Sequence, residues 1–412
     1  MRLSRREFLK GLGLAAGAVV LGKLGSVRGD ETEPFRIGGL FPLTGSLSSV
    51  GPAFKNAAEL AVEDLNGASG ILGRKVELVV ADTGTDPARG EAAARELIEE
   101  EKVVAIIGAL ASDVTLAAAQ VSAAHEVVQI SPASTSPELS TLDDDDFLFR
   151  TTISDVIQGV VQAELALNLG YHTVSLIYID NSYGRGLAGA FRERFEQGVE
   201  GGEVLALIPY REEQPSYREE AEVALRWEPE AINLIAYPSE GKEIIQQLIE
   251  AGYEGEFLLS DGLKGPELLE VSEAIEGAFG TAPGSLETEV LRSFRAAYEM
   301  RYGQTPIPFL PQTYDAVILV GLAVQLAGSS EGAEVREALR RVANPPGVEV
   351  GYGELPSALE LLSRGEELDY QGVSGPLTFD DRGDVQEGGV EIWTVHRGKI
   401  RRVWIAKVGV ME

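Results

Sequence analysis

Short runs that are apolar on every side recur along this chain, and each is followed by a stretch of helical periodicity. Val103-Val104-Ala105-Ile106-Ile107 is the clearest of them. A strand with one wet face alternates polar and apolar residues, so a run with no polar face has to be covered on both sides, as the parallel strands of an α/β sheet are. Strands are expected on the same grounds at 36–41, 76–81, 103–110, 127–131, 174–179, 204–208, 232–236 and 257–259. Between them Phe54, Ala58, Ala61 and Leu65 share one helical face, as do Val156, Val160, Ala163 and Leu167. Strand-helix alternation over this length predicts an α/β fold, and 412 residues exceed what a single core ordinarily holds. The rhythm breaks at Arg150-Thr151-Thr152, at Ala282-Pro283-Gly284 and at Gly388-Gly389. Three crossings between two Rossmann-like lobes follow, one lobe formed by 34–151 with 284–388 and the other by 152–283 with 389–412. Residues 353–376 read as an inserted loop and short helix after the turn-rich Asn344-Pro345-Pro346-Gly347.

The chain opens on Ser4-Arg5-Arg6-Glu7-Phe8-Leu9-Lys10, an apolar run from Gly11 to Gly22, then Lys23 and small residues as far as Gly29. This pattern resembles a twin-arginine signal peptide, so residues 1–29 are expected to direct export of an already folded protein to the periplasm or the outer face of the cytoplasmic membrane. No later stretch reads as a membrane helix. Loss of the leader removes six basic side chains and one acidic one, taking the formal charge from −30 to −35. Such a field repels phosphate backbones, so no nucleic-acid partner is expected. Cysteine is absent, which excludes disulfides, thiolate metal sites, a cysteine nucleophile and a lipid-modified cysteine.

Enzyme signals are weak. His125, His172 and His396 lie far apart in sequence, and Asp143 to Asp146 lack a glycine-turned calcium loop, so no metal is expected. Gly184-Arg185-Gly186-Leu187-Ala188-Gly189 matches a dinucleotide fingerprint, but four residues part it from the preceding strand and no acid closes the next one. A loop opening a helix is the better reading, and no cofactor is expected. No phosphate loop and no G-x-S-x-G nucleophile elbow occurs. Polar residues just after buried strands are more telling, because open α/β sheets bind ligands there. Ser112 opens a helical pattern and either caps that helix or, with the helix N-terminus, receives an anion. Thr135, in the loop after the next strand, offers another hydroxyl. Asp261 ends a strand of the second lobe, where it either caps a turn or meets a cation across the cleft, and Tyr183 occupies another strand-to-helix loop. Nothing in this set pairs a nucleophile with a base.

Several segments together resemble the periplasmic leucine/isoleucine/valine-binding family of ABC transporters, a type I periplasmic binding fold. They are Gly39-Leu40-Phe41-Pro42-Leu43-Thr44-Gly45, Asp64-Leu65-Asn66-Gly67, Ile71-Leu72-Gly73-Arg74, Asp82 with Asp86-Pro87, Ser131 to Leu139, and Tyr183-Gly184-Arg185-Gly186. The resemblance implies an extracytoplasmic solute-binding protein, a monomer, that captures a branched-chain or similar amino acid between its lobes and passes it to a membrane permease. A sensory receptor of the same fold, responding to an amide or other small organic ligand, is the alternative. By the same resemblance Ser112 and Thr135 hold the ligand's carboxylate, Asp261 holds its ammonium, and Leu110 and Ala133 add backbone contacts. Tyr183 and Tyr237 close the second-lobe side, and Phe309 forms an aromatic wall. Val50 stands where well-known members carry a large aromatic residue, Asp261 is one methylene shorter than their glutamate, and Thr85 and Ala111 replace their disulfide, leaving that corner to packing alone.

Overall fold

The computed structural model describes residues 33–197 and 201–409. The leader expected at 1–29 lies outside the described residues. One sheet holds five strands, β1 (Phe35–Phe41), β2 (Val76–Asp82), β3 (Ala105–Gly108), β4 (Val128–Ser131) and β5 (Leu148–Arg150), in the order β2-β1-β3-β4-β5. All its pairings are parallel. Ile106 and Ile107, on opposite faces of β3, are both fully buried, as a run without a polar face requires. The second sheet holds β6 (Thr173–Ile179), β7 (Glu203–Tyr210), β8 (Ala231–Ile235), β9 (Glu256–Leu259), β10 (Phe279–Gly284), β13 (Glu387–Val395) and β14 (Ile400–Gly409), in the order β14-β13-β10-β9-β8-β6-β7. Its strands from β6 to β10 run parallel, while β13 and β14 extend it antiparallel at one edge. The chain therefore passes from one sheet to the other after β5, after β10 and before β13, giving two α/β lobes joined by three crossings.

β11 (Val348–Gly351) and β12 (Leu368–Gln371) form a small separate parallel pair, with the helix Leu355–Ser363 between them. The segment read as an inserted loop and short helix thus also contains a strand. The helix Leu310–Ala327 has the length and apolar content of a membrane span, contrary to the sequence reading, yet most of it is buried. It packs on the helix Gly51–Gly67 and against β3 and β4, as a core helix of the first lobe. Its one acid, Asp315, is fully buried. The carboxylate accepts from the Tyr370 hydroxyl at 2.9 Å and from the backbone N–H groups of Val373 and Ser374 at 2.9 and 2.8 Å, which ties the loop after β12 to the core. Burial pushes this carboxyl up to about 6 despite those donors.

Candidate binding site in the interlobe cleft

A cavity of about 60 Å³ lies between the lobes, and all nine residues singled out in the sequence line it. Eight of them follow the carboxyl end of a strand, and Phe309 precedes a helix. The loop after β1 brings Val50, the end of β3 brings Leu110 and Ser112, and the loop after β4 brings Ala133 and Thr135. Across the cleft Tyr183 follows β6, Tyr237 follows β8 and Asp261 follows β9. Phe309, at the start of the helix Leu310–Ala327, closes a third side from a left-handed backbone conformation, φ 68°.

Ser112 is not the cap of its helix. Ala111 holds that position with extended backbone, and with no hydroxyl or carboxylate of its own it leaves the first turn without a side-chain acceptor. The Ser112 Oγ instead accepts from the Ser136 N–H at 3.3 Å, which joins the loop after β3 to the loop after β4. Thr135 is held from behind, its carbonyl accepting from the Asp155 N–H at 2.8 Å. The first-lobe face of the cavity thus combines two hydroxyls with the positive end of a helix.

The opposite face is acidic. Asp261 Oδ1 accepts from the Tyr183 hydroxyl and from Gln158 Nε2, both at 2.8 Å. Tyr183 in turn stacks on Tyr237 with centroids 5.7 Å apart and rings 5° from parallel. Burial pushes the Asp261 carboxyl up, and the two donors pull it part of the way back. Asp155, at the start of the helix Asp155–Asn168, is wholly buried, and neither of its oxygens finds a hydrogen-bond partner of good geometry. Its carboxyl is raised well above the usual range, first by burial and then by the charge of Asp261; the Thr135 hydroxyl and Arg150 act against this. A desolvated acid raised further by the charge of a second buried acid is an arrangement a cation relieves. Leu47, Val50, Phe54, Ile307 and Pro308 make the remaining wall largely apolar. Lys264 also borders the cavity, but its ammonium sits 2.6 Å from Glu391, which accepts from Arg402 at 3.0 Å as well. Burial works against the Glu391 charge, and these two cations outweigh it, holding the carboxyl below its ordinary range.

The sequence profile of the family described as periplasmic binding protein matches residues 34–355, most of the chain. This chain belongs to that family. Among its relatives, the chemotactic signal transduction system substrate-binding protein BasB of Halobacterium salinarum is 30% identical, over 83% of each chain. A leucine binding protein LivK from Thermotoga maritima superposes with a TM-score of 0.78 at 28% identity, covering 90% of this chain and 98% of that one. The branched-chain amino acid transporter substrate binding protein LivJ from Streptococcus pneumoniae, solved with isoleucine, gives 0.76 at 25% identity, covering 92% of this chain and 100% of that one. Membership in this family implies work outside the cytoplasm.

In this periplasmic binding protein the glycine-rich 184–189 segment serves packing. Asn181 caps its helix by accepting from the Gly184 N–H at 2.9 Å, and a Cβ on Gly184 would lie 1.9 Å from the Ile179 carbonyl oxygen. A Cβ on Gly186 would strike Pro137 of the other lobe. The corner at Thr85 and Ala111 is held by more than packing, because the Thr85 Oγ1 accepts from the Leu47 N–H at 3.1 Å. The acidic run at 143–146 is more than a solvated loop. Asp144 accepts from the Leu148 N–H, and Asp146 receives both terminal nitrogens of Arg340 at 2.7 and 2.8 Å. Asp155, Gln158 and Lys264 escaped the sequence reading. Asp155 resembles any acid in the first turn of a helix, and the buried, crossing-adjacent position that sets it apart is a property of the fold.

Proposed function

We propose that this protein captures an amino acid in the interlobe cleft, closes over it and delivers it, as a monomer, to the membrane permease of an ABC importer. The observation that carries this reading is the polarity of one small cavity, with two hydroxyls and an uncapped helix N-terminus on one face and the buried acid Asp261, backed by a second buried acid, Asp155, on the other. A zwitterion with an apolar side chain satisfies both faces at once. Its carboxylate meets Ser112, Thr135 and the helix end, and its ammonium meets Asp261 with Asp155 behind it. Charge-assisted hydrogen bonds of this kind contribute about 1.5–3 kcal/mol each. Leu110 and Ala133 border the carboxylate end. Tyr183 and Tyr237 wall the second-lobe side, and Val50 and Phe309 receive the ligand's side chain. The leucine and isoleucine named for the structural relatives support this class of ligand.

Calorimetric titration with the common amino acids tests the reading. Binding of one or more apolar amino acids is expected, with no response to the corresponding amines or acids that lack one of the two charges. Binding confined to ligands without an amine would overturn it. Val50 sets the size limit: Val50→Trp is expected to lower affinity for leucine by at least about tenfold while sparing alanine, since overpacking a closed pocket costs about 1–3 kcal/mol.

Export by the twin-arginine route rests on the motif at Ser4 to Lys10. The double variant Arg5→Lys, Arg6→Lys is expected to stay in the cytoplasm, folded and competent to bind, when cell fractions are probed by immunoblot. Unchanged export would remove this part of the proposal. Deleting a neighbouring permease gene is expected to stop uptake of the ligand; unchanged uptake would remove delivery to an importer from the proposal.

A further inference from the structure

The lobes also touch at the mouth of the cleft, away from the three crossings. Ser46, in the loop after β1 on the first lobe, places its Oγ 2.9 Å from Glu212 Oε2 and 2.9 Å from Glu240 Oε1, both on the second lobe. A serine hydroxyl has one proton to give. Unprotonated, the two carboxylates would have to share that one proton while facing each other across a single oxygen; with a proton on one glutamate, that acid donates to Ser46 Oγ and the hydroxyl donates wholly to the other. The geometry therefore favours one added proton across the lobe boundary.

The surroundings favour keeping it. Glu212 follows β7, and Glu240 lies in the first turn of the helix Pro238–Glu250, where its Oε2 is buried without a partner. Asp113 faces them from the first lobe, Glu213 follows in the chain, and Glu243 sits one turn along the helix. The phenols of Tyr210, Tyr217 and Tyr237 face the pair from the second lobe. The cation nearest in sequence, Arg211, is in no ion pair among the described residues. Burial raises both glutamates, Glu212 to about 7, with the neighbouring acids adding to the rise and the Ser46 contact opposing it. Asp113 itself is engaged elsewhere along the same seam, accepting from the Ser182 N–H at 2.9 Å, while Ser136 Oγ donates to the Ser182 carbonyl at 3.0 Å.

We propose that Ser46, Glu212 and Glu240 form a proton-dependent latch, so that closing the cleft over its ligand takes up a proton at this bridge and the ligand is held more tightly in acid than in alkaline surroundings. The inference rests on the reading of the cleft as a closing ligand site. When the lobes part, both carboxylates meet water and return to the ordinary glutamate range near 4.5. A group raised in the closed state favours closure most below its open-state value, and the advantage disappears as pH rises through the closed-state value. The window is thus roughly pH 4.5 to 7, with little further change above it. The acid pair in the binding site has the opposite sign, since a ligand's ammonium favours ionised Asp155 and Asp261. A variant comparison is needed to isolate the latch.

Glutamine is a neutral donor in place of the acid. Titrations with whichever amino acid binds, at pH 5.5 in two buffers of different ionisation enthalpy, are expected to count about one more proton taken up by the wild type than by the double variant Glu212→Gln, Glu240→Gln. Between pH 5 and 8 the wild-type affinity relative to the variant's is expected to fall at least about tenfold. Equal proton counts and parallel affinity profiles would overturn the latch while leaving the amino-acid site standing. If no amino acid binds, the reading of the cleft has failed, and the latch is then judged on ligand-free protein by small-angle scattering. The wild type is expected to be more compact at pH 5 than at pH 8 and the double variant equally compact at both; identical behaviour of the two proteins would overturn it.

Discussion

Asp261→Ala is expected to weaken amino-acid binding by about thirty-fold or more while leaving the fold intact. The aspartate accepts from Tyr183 and Gln158, so its loss frees two neutral donors, while a bound ammonium loses a charged partner inside a cleft closed to water. Truncating one partner of a buried charge pair costs roughly 2–5 kcal/mol of affinity. Stability is expected to hold or rise, because burial already opposes ionisation of this carboxyl in the ligand-free state and its charge raises the buried Asp155. Asp155→Asn separates the two acids: it is expected to lower affinity less than Asp261→Ala does. Calorimetry and thermal melts on both variants decide the point. Undiminished affinity in Asp261→Ala would place the ammonium elsewhere.

The candidate site was legible wherever its residues obey a positional rule. Ser112, Thr135, Tyr183 and Asp261 all follow buried parallel strands, and strand ends in an open α/β sheet converge on one crevice, whereas Tyr237 came from the resemblance alone. What such a rule misses depends on the path of the chain. Asp155 begins a helix that leaves a crossing, and only the packing of the folded chain sets it against Thr135 and beside Asp261. The lip residues Ser46, Glu212 and Glu240 belong to three separate loops and helix starts, with no spacing to join them. Strand β10 went unseen because Ala282-Pro283-Gly284 reads as a turn. It pairs with β9 only at Phe279 and Gly280, so Pro283 lies beyond that neighbour's end, where its missing N–H breaks no parallel ladder. The antiparallel β13 and β14 lie at the sheet edge after the third crossing, and β14 carries Arg401, Arg402 and Lys407, charges typical of an edge strand rather than of a buried run.

Arg150→Ala is expected to cost the first lobe about 3–5 kcal/mol, and with it much of the site's preorganisation. The guanidinium is buried at the end of β5, with its Nε and one terminal nitrogen on the two oxygens of Asp384, the latter at 2.8 Å. That second nitrogen also meets the Ser140 hydroxyl at 2.6 Å, and the remaining one donates to the Ser136 carbonyl at 3.0 Å. Removing one member of a buried, hydrogen-bonded pair leaves the other charge uncompensated, which is the origin of the large penalty. The loss reaches the cleft through Ser136, whose N–H rests on Ser112 and whose hydroxyl reaches Ser182 of the second lobe. A fall in the first-lobe melting temperature on the order of 10 °C is expected, together with weaker ligand binding. Arg150→Lys restores the charge but not the fork that spans both Asp384 oxygens and the Ser136 carbonyl, so it is expected to recover stability in part and binding less. Calorimetric melts and titrations on the two variants check both statements. A melting temperature for Arg150→Ala within about 2 °C of the wild type would show that the pair holds neither the lobe nor the loop that carries Thr135.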